Sequence, residues 1–366
     1  GLARRFEAAN GAPRDEILAL LDDPRAGLFL GTLTNGLCRL PVEGLAGLSP
    51  GEGLANPVFE RLVEGHRGNL YAISESGWFE LLGDRLVLVP GSESEPWRRA
   101  GGRVVADSSG FWVGTSAGLA RIEGARLDPR RALWLGRESG LPAAEIFGGR
   151  PQAGLWSDSD GTLTGAGLYV RHFGSSVFVQ VPDPSGVWRE APPLAFARDS
   201  AGDLWIGDFL GLRLLDGSAL ATLALPGGSD ARALFRDRAG VLWIGRRYGG
   251  LARVVARHRT QVQIDSWTTR DGLLSDAVAS IAEDRAGRLW LCTGRGLNRF
   301  DPASGGIEAW TVADGVPAGP LHHCYVDSAG VLWIAGRGGL ARLDPSGIAV
   351  PPAPEVRLRE VVAGGE

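Results

Sequence analysis

One pattern recurs along the chain and limits its fold more than any other feature. It runs Asp-x-x-Gly, then Leu-Trp-Ile-Gly, then Gly-Leu-x-Arg. Asp199 leads to Trp205 and Gly207, then to Gly211 and Arg213. Asp237 leads to Trp243 and Gly245, then to Gly250 and Arg253. Asp284 leads to Trp290, then to Gly296 and Arg299. Asp327 leads to Trp333, then to Gly339 and Arg342. Weaker copies centre on Phe29, Tyr71 and Trp112. The faintest, around Thr164, lacks the Trp-Ile-Gly core. Neighbouring copies are 38 to 52 residues apart, with a mean of about 43. Eight copies at such a period, each long enough for four strands, predict blades around a common axis.

Each part of the repeat has a physical reading. Asp can bond to its own backbone in a tight turn, and Gly accepts positive φ. The run before the turn, such as Ala279–Glu283, alternates and reads as an inner strand A. Leu-Trp-Ile-Gly reads as strand B and Gly-Leu-x-Arg as strand C, and a looser strand D follows, as at Ile307–Val312. Along strand B, Leu204 and Ile206 face one side, and Trp205 and Gly207 face the other. A sheet with apolar residues on both faces must be packed on both faces, as blades in a ring are. Between units lies a second motif: Gly140-Leu141-Pro142, Asp271-Gly272-Leu273 and Asp314-Gly315-Val316-Pro317. It reads as the loop from strand D of one blade to strand A of the next.

Composition agrees. Gly contributes 55 residues and Pro 22, while 44% of the 366 residues are hydrophobic, which disfavours disorder and suits short strands with tight turns. There are 38 Lys plus Arg, all of them Arg, against 42 Asp plus Glu, for a net charge of −4. That balance argues against a nucleic-acid partner bound through a basic surface. No run of 18 apolar residues occurs, and the first residues lack the order of a signal peptide. Cys38, Cys292 and Cys324 fall in no C-x-x-C and read as buried apolar thiols.

The expected fold is therefore all-β: a β-propeller of four-stranded blades. Eight copies predict an eight-bladed ring, with residues 1–12 as the outer strand of the last blade. A seven-bladed ring with one copy left over is the alternative. The chain has no Met and starts inside a repeat, so it reads as a fragment of a longer array.

The ordered set Gly-Leu-Pro-x-x-x-Ile, Asp-x-x-Gly-x-Leu-Trp-Ile-Gly and Gly-Leu-x-Arg-Phe-Asp-Pro resembles the two-component regulator propeller family. The match is strict from about residue 199 and loose before it. The tail from Pro351 to Val362 is similar to the first strand of the β-sandwich, called Y_Y_Y, that follows such propellers. The resemblance implies a propeller over 1–348, then a linker and truncated sandwich strand over 349–366. It also implies a periplasmic or extracytoplasmic sensor region of a bacterial signal-transduction receptor, without catalysis of its own. The parent chain would be membrane-anchored, a histidine kinase or a diguanylate cyclase, and the fragment would need no cofactor. Its expected ligand is a small molecule, a saccharide or a peptide, and homodimerisation would fit the family. A secreted propeller lyase and a protein-interaction scaffold are the alternatives.

In a propeller the B–C and D–A loops share one face. That places Trp78, Phe209, Arg246, Arg247, Tyr248, Arg295, His322 and Arg337 around one rim as candidate ligand-binding residues. Arg and Tyr there can clamp anions or stack on sugars. Other motifs are read as structural. Gly114-Thr115-Ser116-Ala117-Gly118 fits the nucleophile-elbow spacing but falls in the B–C turn column. Asp158-Ser159-Asp160-Gly161 resembles the opening of a calcium loop but lacks the later ligands. His322 and His323 are adjacent, so on a strand they would point to opposite faces and not share a metal. The pairs Asp22-Asp23 and Glu283-Asp284 read as turn chemistry. No catalytic or metal-ligating set is expected.

Overall fold

The protein is described here from a computed structural model that covers residues 17–23, 27–32, 36–39, 46–48, 58–82, 85–100, 103–141, 155–157, 161–165, 168–172, 178–182, 193–216, 219–227 and 230–348. Within these residues nearly all regular structure is strand, interrupted by short 3-10 turns. No helix among them is long and apolar enough to cross a membrane.

Six blades consist of four consecutive antiparallel strands each. They span residues 59–88 (blade I), 104–135 (II), 155–180 (III), 195–223 (IV), 233–267 (V) and 278–310 (VI). The last repeat supplies only three strands, Leu321–Val326, Leu332–Gly336 and Gly339–Leu343. Its fourth is Ala46–Leu48, which pairs antiparallel with Leu340–Arg342. This composite sheet lies between blades VI and I, since its first strand packs beside the first strands of both. The earliest copy, Ile17–Asp23 with Gly27–Thr32 and Gly36–Arg39, forms a separate three-stranded sheet.

The propeller expectation is therefore met and the blade count is corrected. Eight repeat copies, read as eight blades or as seven with a spare, overcount the blades completed by four successive strands, which number six. The physical reason is the closure. One copy remains three-stranded, and the final copy fills its open edge with a strand from far upstream. That strand is residues 46–48, not residues 1–12, which lie outside the described residues. The sandwich strand expected after residue 349 and the calcium-like turn at 158–160 also lie outside them.

The Trp column is the core between blades. Trp112, Trp205, Trp243, Trp290 and Trp333 are all buried. Trp243 of blade V meets Phe300 of blade VI edge-on, with ring centroids 5.5 Å apart. Trp290 of blade VI packs in one cluster with Leu321, Leu332 and Ile334 of the composite sheet. Each indole also has a polar anchor. Its Nε1–H donates to the Asp of its own turn: Trp112 to Asp107 at 2.8 Å, Trp205 to Asp199 at 2.8 Å, Trp243 to Asp237 at 2.7 Å, Trp290 to Asp284 at 3.0 Å and Trp333 to Asp327 at 2.7 Å. The second carboxylate oxygen accepts a turn N–H, as from Val241 to Asp237 at 2.8 Å. One Asp thus closes the turn and satisfies the buried indole, since a buried N–H left unpaired is costly. In blade I, Tyr71 replaces Trp, and its hydroxyl accepts from Leu127 N–H of blade II at 3.2 Å.

The Gly that ends strand B is required by close approach. A Cβ on Gly207 would lie 2.5 Å from the Ala231 carbonyl oxygen, and one on Gly245 would lie 2.9 Å from that of Val278. In both cases the obstacle is backbone at the start of the next blade, so the loops at this end run tightly past strand B. The opposite face is tied blade to blade. Glu283 of blade VI accepts from Arg238 N–H of blade V at 2.9 Å. Arg285 donates to the Ser328 carbonyl of the composite sheet at 2.8 Å. Glu64 of blade I accepts from the Tyr325 hydroxyl at 2.9 Å and from Ser328 N–H at 3.0 Å.

Candidate functional site

The first strands of successive blades stand side by side around the axis. Their starting ends, with the D–A and B–C loops, form one mouth of the central channel. The rim candidates differ in exposure there. Trp78 is enclosed in the core, packed edge-on against Trp97 at 5.6 Å, and presents nothing to the rim. Phe209 is half-buried, and the neighbouring Asp208 is fully buried in an ion pair with Arg213. Arg247, Tyr248, Arg295 and Arg337 are exposed, with Tyr248 reaching 74%.

Arg246 is only 3% exposed, and burial pulls its pKa below the ordinary guanidinium value, partly offset by the Asp230 charge. Its backbone carbonyl accepts from Val278 N–H at 2.8 Å, and a Cβ on Gly249 would collide with its guanidinium. It is a packed part of the loop. Arg247 lies over the Tyr248 ring at 5.2 Å, and its backbone N–H donates to the Asp230 carboxylate. Arg246-Arg247-Tyr248 is thus a shaped turn that shows one guanidinium and one phenol to solvent.

His322 and His323 sit at a β-bulge, where the register slips between Leu321 and His323. Both rings reach the first strand of blade I. The His322 Nδ1 lies 3.2 Å from the Phe59 carbonyl oxygen, so Nδ1–H donates and Nε2 is left without the proton. The His323 Nδ1 accepts from Leu62 N–H at 3.4 Å. Burial pushes the pKa of His322 down, and the charges of Arg232 and Arg337 push the same way. Burial, then the charge of Arg61, lowers His323 to about 3. The rings bond to different backbone groups and form no joint metal site. Among the described residues, no group of three His, Cys, Asp or Glu side chains is placed to hold a metal.

Arg232, Arg61 and Arg103 were not among the candidates. Arg232 opens the first strand of blade V, and its pKa is lowered by burial and by the Arg247 charge, with Asp230 offsetting. Arg61 lies on the first strand of blade I, encircled by protein, and burial lowers it to about 10. Arg103 opens the first strand of blade II and is also lowered by burial. The signal in the sequence was slight: an Arg within a few residues of the start of an inner strand.

The structural readings of the remaining motifs fit their places. Thr115 Oγ donates to the Gly118 carbonyl at 3.1 Å inside a B–C turn. Asp284 holds the Trp290 indole. Cys292 and Cys324 are buried thiols, while Cys38 has no described side chain.

Residues 272–295, from the D–A loop through strand B of blade VI, match the two component regulator propeller family. That stretch is similar to one repeat of the family. The whole fold is similar to the extracellular domain of a hybrid two component system of B. thetaiotaomicron, at 17% identity and a TM-score of 0.67, covering 90% of this chain and 45% of that one. It is also similar to the extracellular domain of a one component system of the same organism, at 14% identity and a TM-score of 0.63, covering 82% and 40%. YCF48 from Cyanidioschyzon merolae aligns at 10% identity and a TM-score of 0.59, covering 83% of this chain and all of that one. At these identities the likeness is one of fold. The chain spans less than half the length of the two bacterial domains. No curated protein matches it.

Proposed function

We propose that this two component regulator propeller is the extracytoplasmic ligand-sensing part of a bacterial signal-transduction receptor, and that it performs no catalysis itself. The family repeat at 272–295 supports the class, as does the fold shared with extracellular domains of two bacterial signalling systems. The observation that carries ligand sensing is the convergence of side chains at one mouth. The exposed Arg247 and Tyr248 of blade V, Arg295 of blade VI and Arg337 of the composite sheet all lie in B–C turns at the same end of the ring, so a solute over that mouth would touch several blades at once. Holding blades in a new relative position would alter the outer strands and any neighbouring segment, and a receptor can transmit such a change.

A thermal-shift screen with saccharides and short peptides tests this reading. A binder raises Tm in proportion to the logarithm of its concentration over Kd. The expected result is a stabilising solute whose effect is lost in the double variant Arg247→Ser, Tyr248→Ser. Those two side chains are exposed, so the variant should fold. A solute that is chemically converted would favour the lyase reading. A protein partner bound on the outer strands, with no solute effect, would favour the scaffold.

A further inference from the structure

Blade VI and the composite sheet each bring one cysteine to the interface between them. Cys292 lies on strand B of blade VI, Leu289–Thr293. Cys324 lies on the first strand of the composite sheet, Leu321–Val326, which packs against it. Alternation puts Trp290 and Cys292 on one face of their strand, and both belong to the same buried cluster as Leu321, Cys324 and Ile334. The two cysteines are held close by the register. Ser280 is the cross-strand partner of Cys292, and such partners keep their Cβ atoms about 4.5–5.5 Å apart. The Ser280 hydroxyl accepts from the Cys324 N–H at 3.2 Å and lies 3.7 Å from the Cys324 Sγ. The Cys324 thiol also donates to the carbonyl of Trp290, two residues before Cys292, at 3.1 Å. Cys324 is thus bonded to the residue opposite Cys292 and to the residue two before it, and the two thiols share a hydrogen bond.

We propose that Cys292 and Cys324 are a disulfide pair whose oxidation staples blade VI to the composite sheet. The pairing is independent of the sensing role. The oxidant is an exogenous disulfide, of a small thiol or of a protein. The Cys324 thiolate attacks one of its sulfurs and expels the other as a thiolate. The Cys292 thiolate then attacks the Cys324 sulfur of the mixed disulfide, forms the Sγ–Sγ bond and expels the second thiolate. The two cysteine protons end on the expelled thiolates, so one disulfide is reduced as the other forms. Cys324 is the first nucleophile. Burial raises its pKa, but hydrogen bonds with Cys292 and Ser280 outweigh burial and lower it. Burial, then the Cys324 neighbour, holds Cys292 well above the ordinary thiol value. Both side chains are buried, so exchange takes place as the interface closes or opens. Reduced, the two sheets are held by packing and hydrogen bonds; oxidised, they are joined covalently and their relative movement is restrained.

The test uses the whole chain, as wild type and as Cys38→Ser, treated with oxidised glutathione in the folded state and during refolding. Free thiols are then blocked with N-ethylmaleimide in denaturant, and an unreduced digest is mapped by mass spectrometry. The expected result, in both chains, is one peptide pair joined through Cys292 and Cys324 and separated by dithiothreitol. A crosslink formed only during refolding supports a pair that closes with the fold. One formed in the folded state as well supports a pair reached when the interface opens. The crosslinked chain should have a Tm about 2 °C or more above that of the reduced chain in scanning calorimetry. The Cys292→Ala variant should show no such response to the oxidant. Maleimide on both cysteines after both treatments overturns the proposal, as does a crosslink through Cys38 in place of this pair. So does a crosslink that fails to raise Tm, or a Tm rise that persists in Cys292→Ala.

Discussion

Residue by residue, the repeat is built around one bond, from the indole N–H of strand B to the Asp of the preceding turn. A buried Trp removes about 150–250 Å² from water. At about 25 cal/mol/Å² this contributes at most about 4–6 kcal/mol. Trp243→Ala is expected to cost about 3–5 kcal/mol in chemical denaturation, whereas Trp134→Ala, on an outer strand and 45% exposed, should cost much less. Equal losses would contradict the buried column. The Trp column was legible because burial on both sheet faces follows from alternation. Its Asp partner was legible only as a turn former, since the indole bond depends on a side-chain direction that spacing does not reveal. His323 gives a second prediction. Its folded pKa, about 3, lies below the unfolded value of about 6.5, so the unfolded chain binds more protons in between. Stability from this residue is present above about pH 6.5 and falls as pH drops towards 3. Asp107, lowered to about 2, loses its contribution only below its unfolded value near 3.9. The His323→Gln variant should therefore show a flatter dependence of Tm on pH between about 6.5 and 3, measured by scanning calorimetry, while the slope below about pH 3, where Asp107 still titrates, stays.

Among elements, the closing strand is the decisive one. Ala46-Gly47-Leu48 has neither the length nor the β-branched residues of a strand signal, so its role was not legible in the sequence. It is a strand because the Gly339–Leu343 edge offers unpaired backbone groups, and pairing satisfies them. The same fact explains the blade count. Repeat copies are visible in the sequence, but which copies complete a sheet is decided by edges distant in the chain. Two truncations separate these contributions. Removing residues 1–45 retains the closing strand and should leave the main unfolding transition in place. Removing residues 1–49 exposes the edge and should lower Tm by about 4 °C or more in differential scanning fluorimetry. If both truncations behave alike, the strand is not what closes the ring.

For the whole molecule, the two faces do different work. One carries Asp turns and blade-to-blade bonds such as Arg285 to Ser328, which resist relative movement of the blades. The other carries the B–C and D–A loops, with Arg247, Tyr248, Arg295 and Arg337 exposed on them. The face was legible from loop order alone, which puts Arg247, Tyr248 and Arg337 on it, and all three are exposed. Trp78 was misplaced on the rim because a Trp next to a turn Gly looks exposed in sequence, yet the Trp97 ring covers it. Arg232 was missed because its charge bears on His322, 90 residues further along the chain, a relation that chain order hides. The most direct test of the account is hydrogen–deuterium exchange of the whole chain with and without a stabilising solute from the screen. The account predicts protection confined to the D–A and B–C loops, including 230–232, 246–248 and 337. Protection confined to the Asp turns or the outer strands, with these loops unchanged, would contradict it.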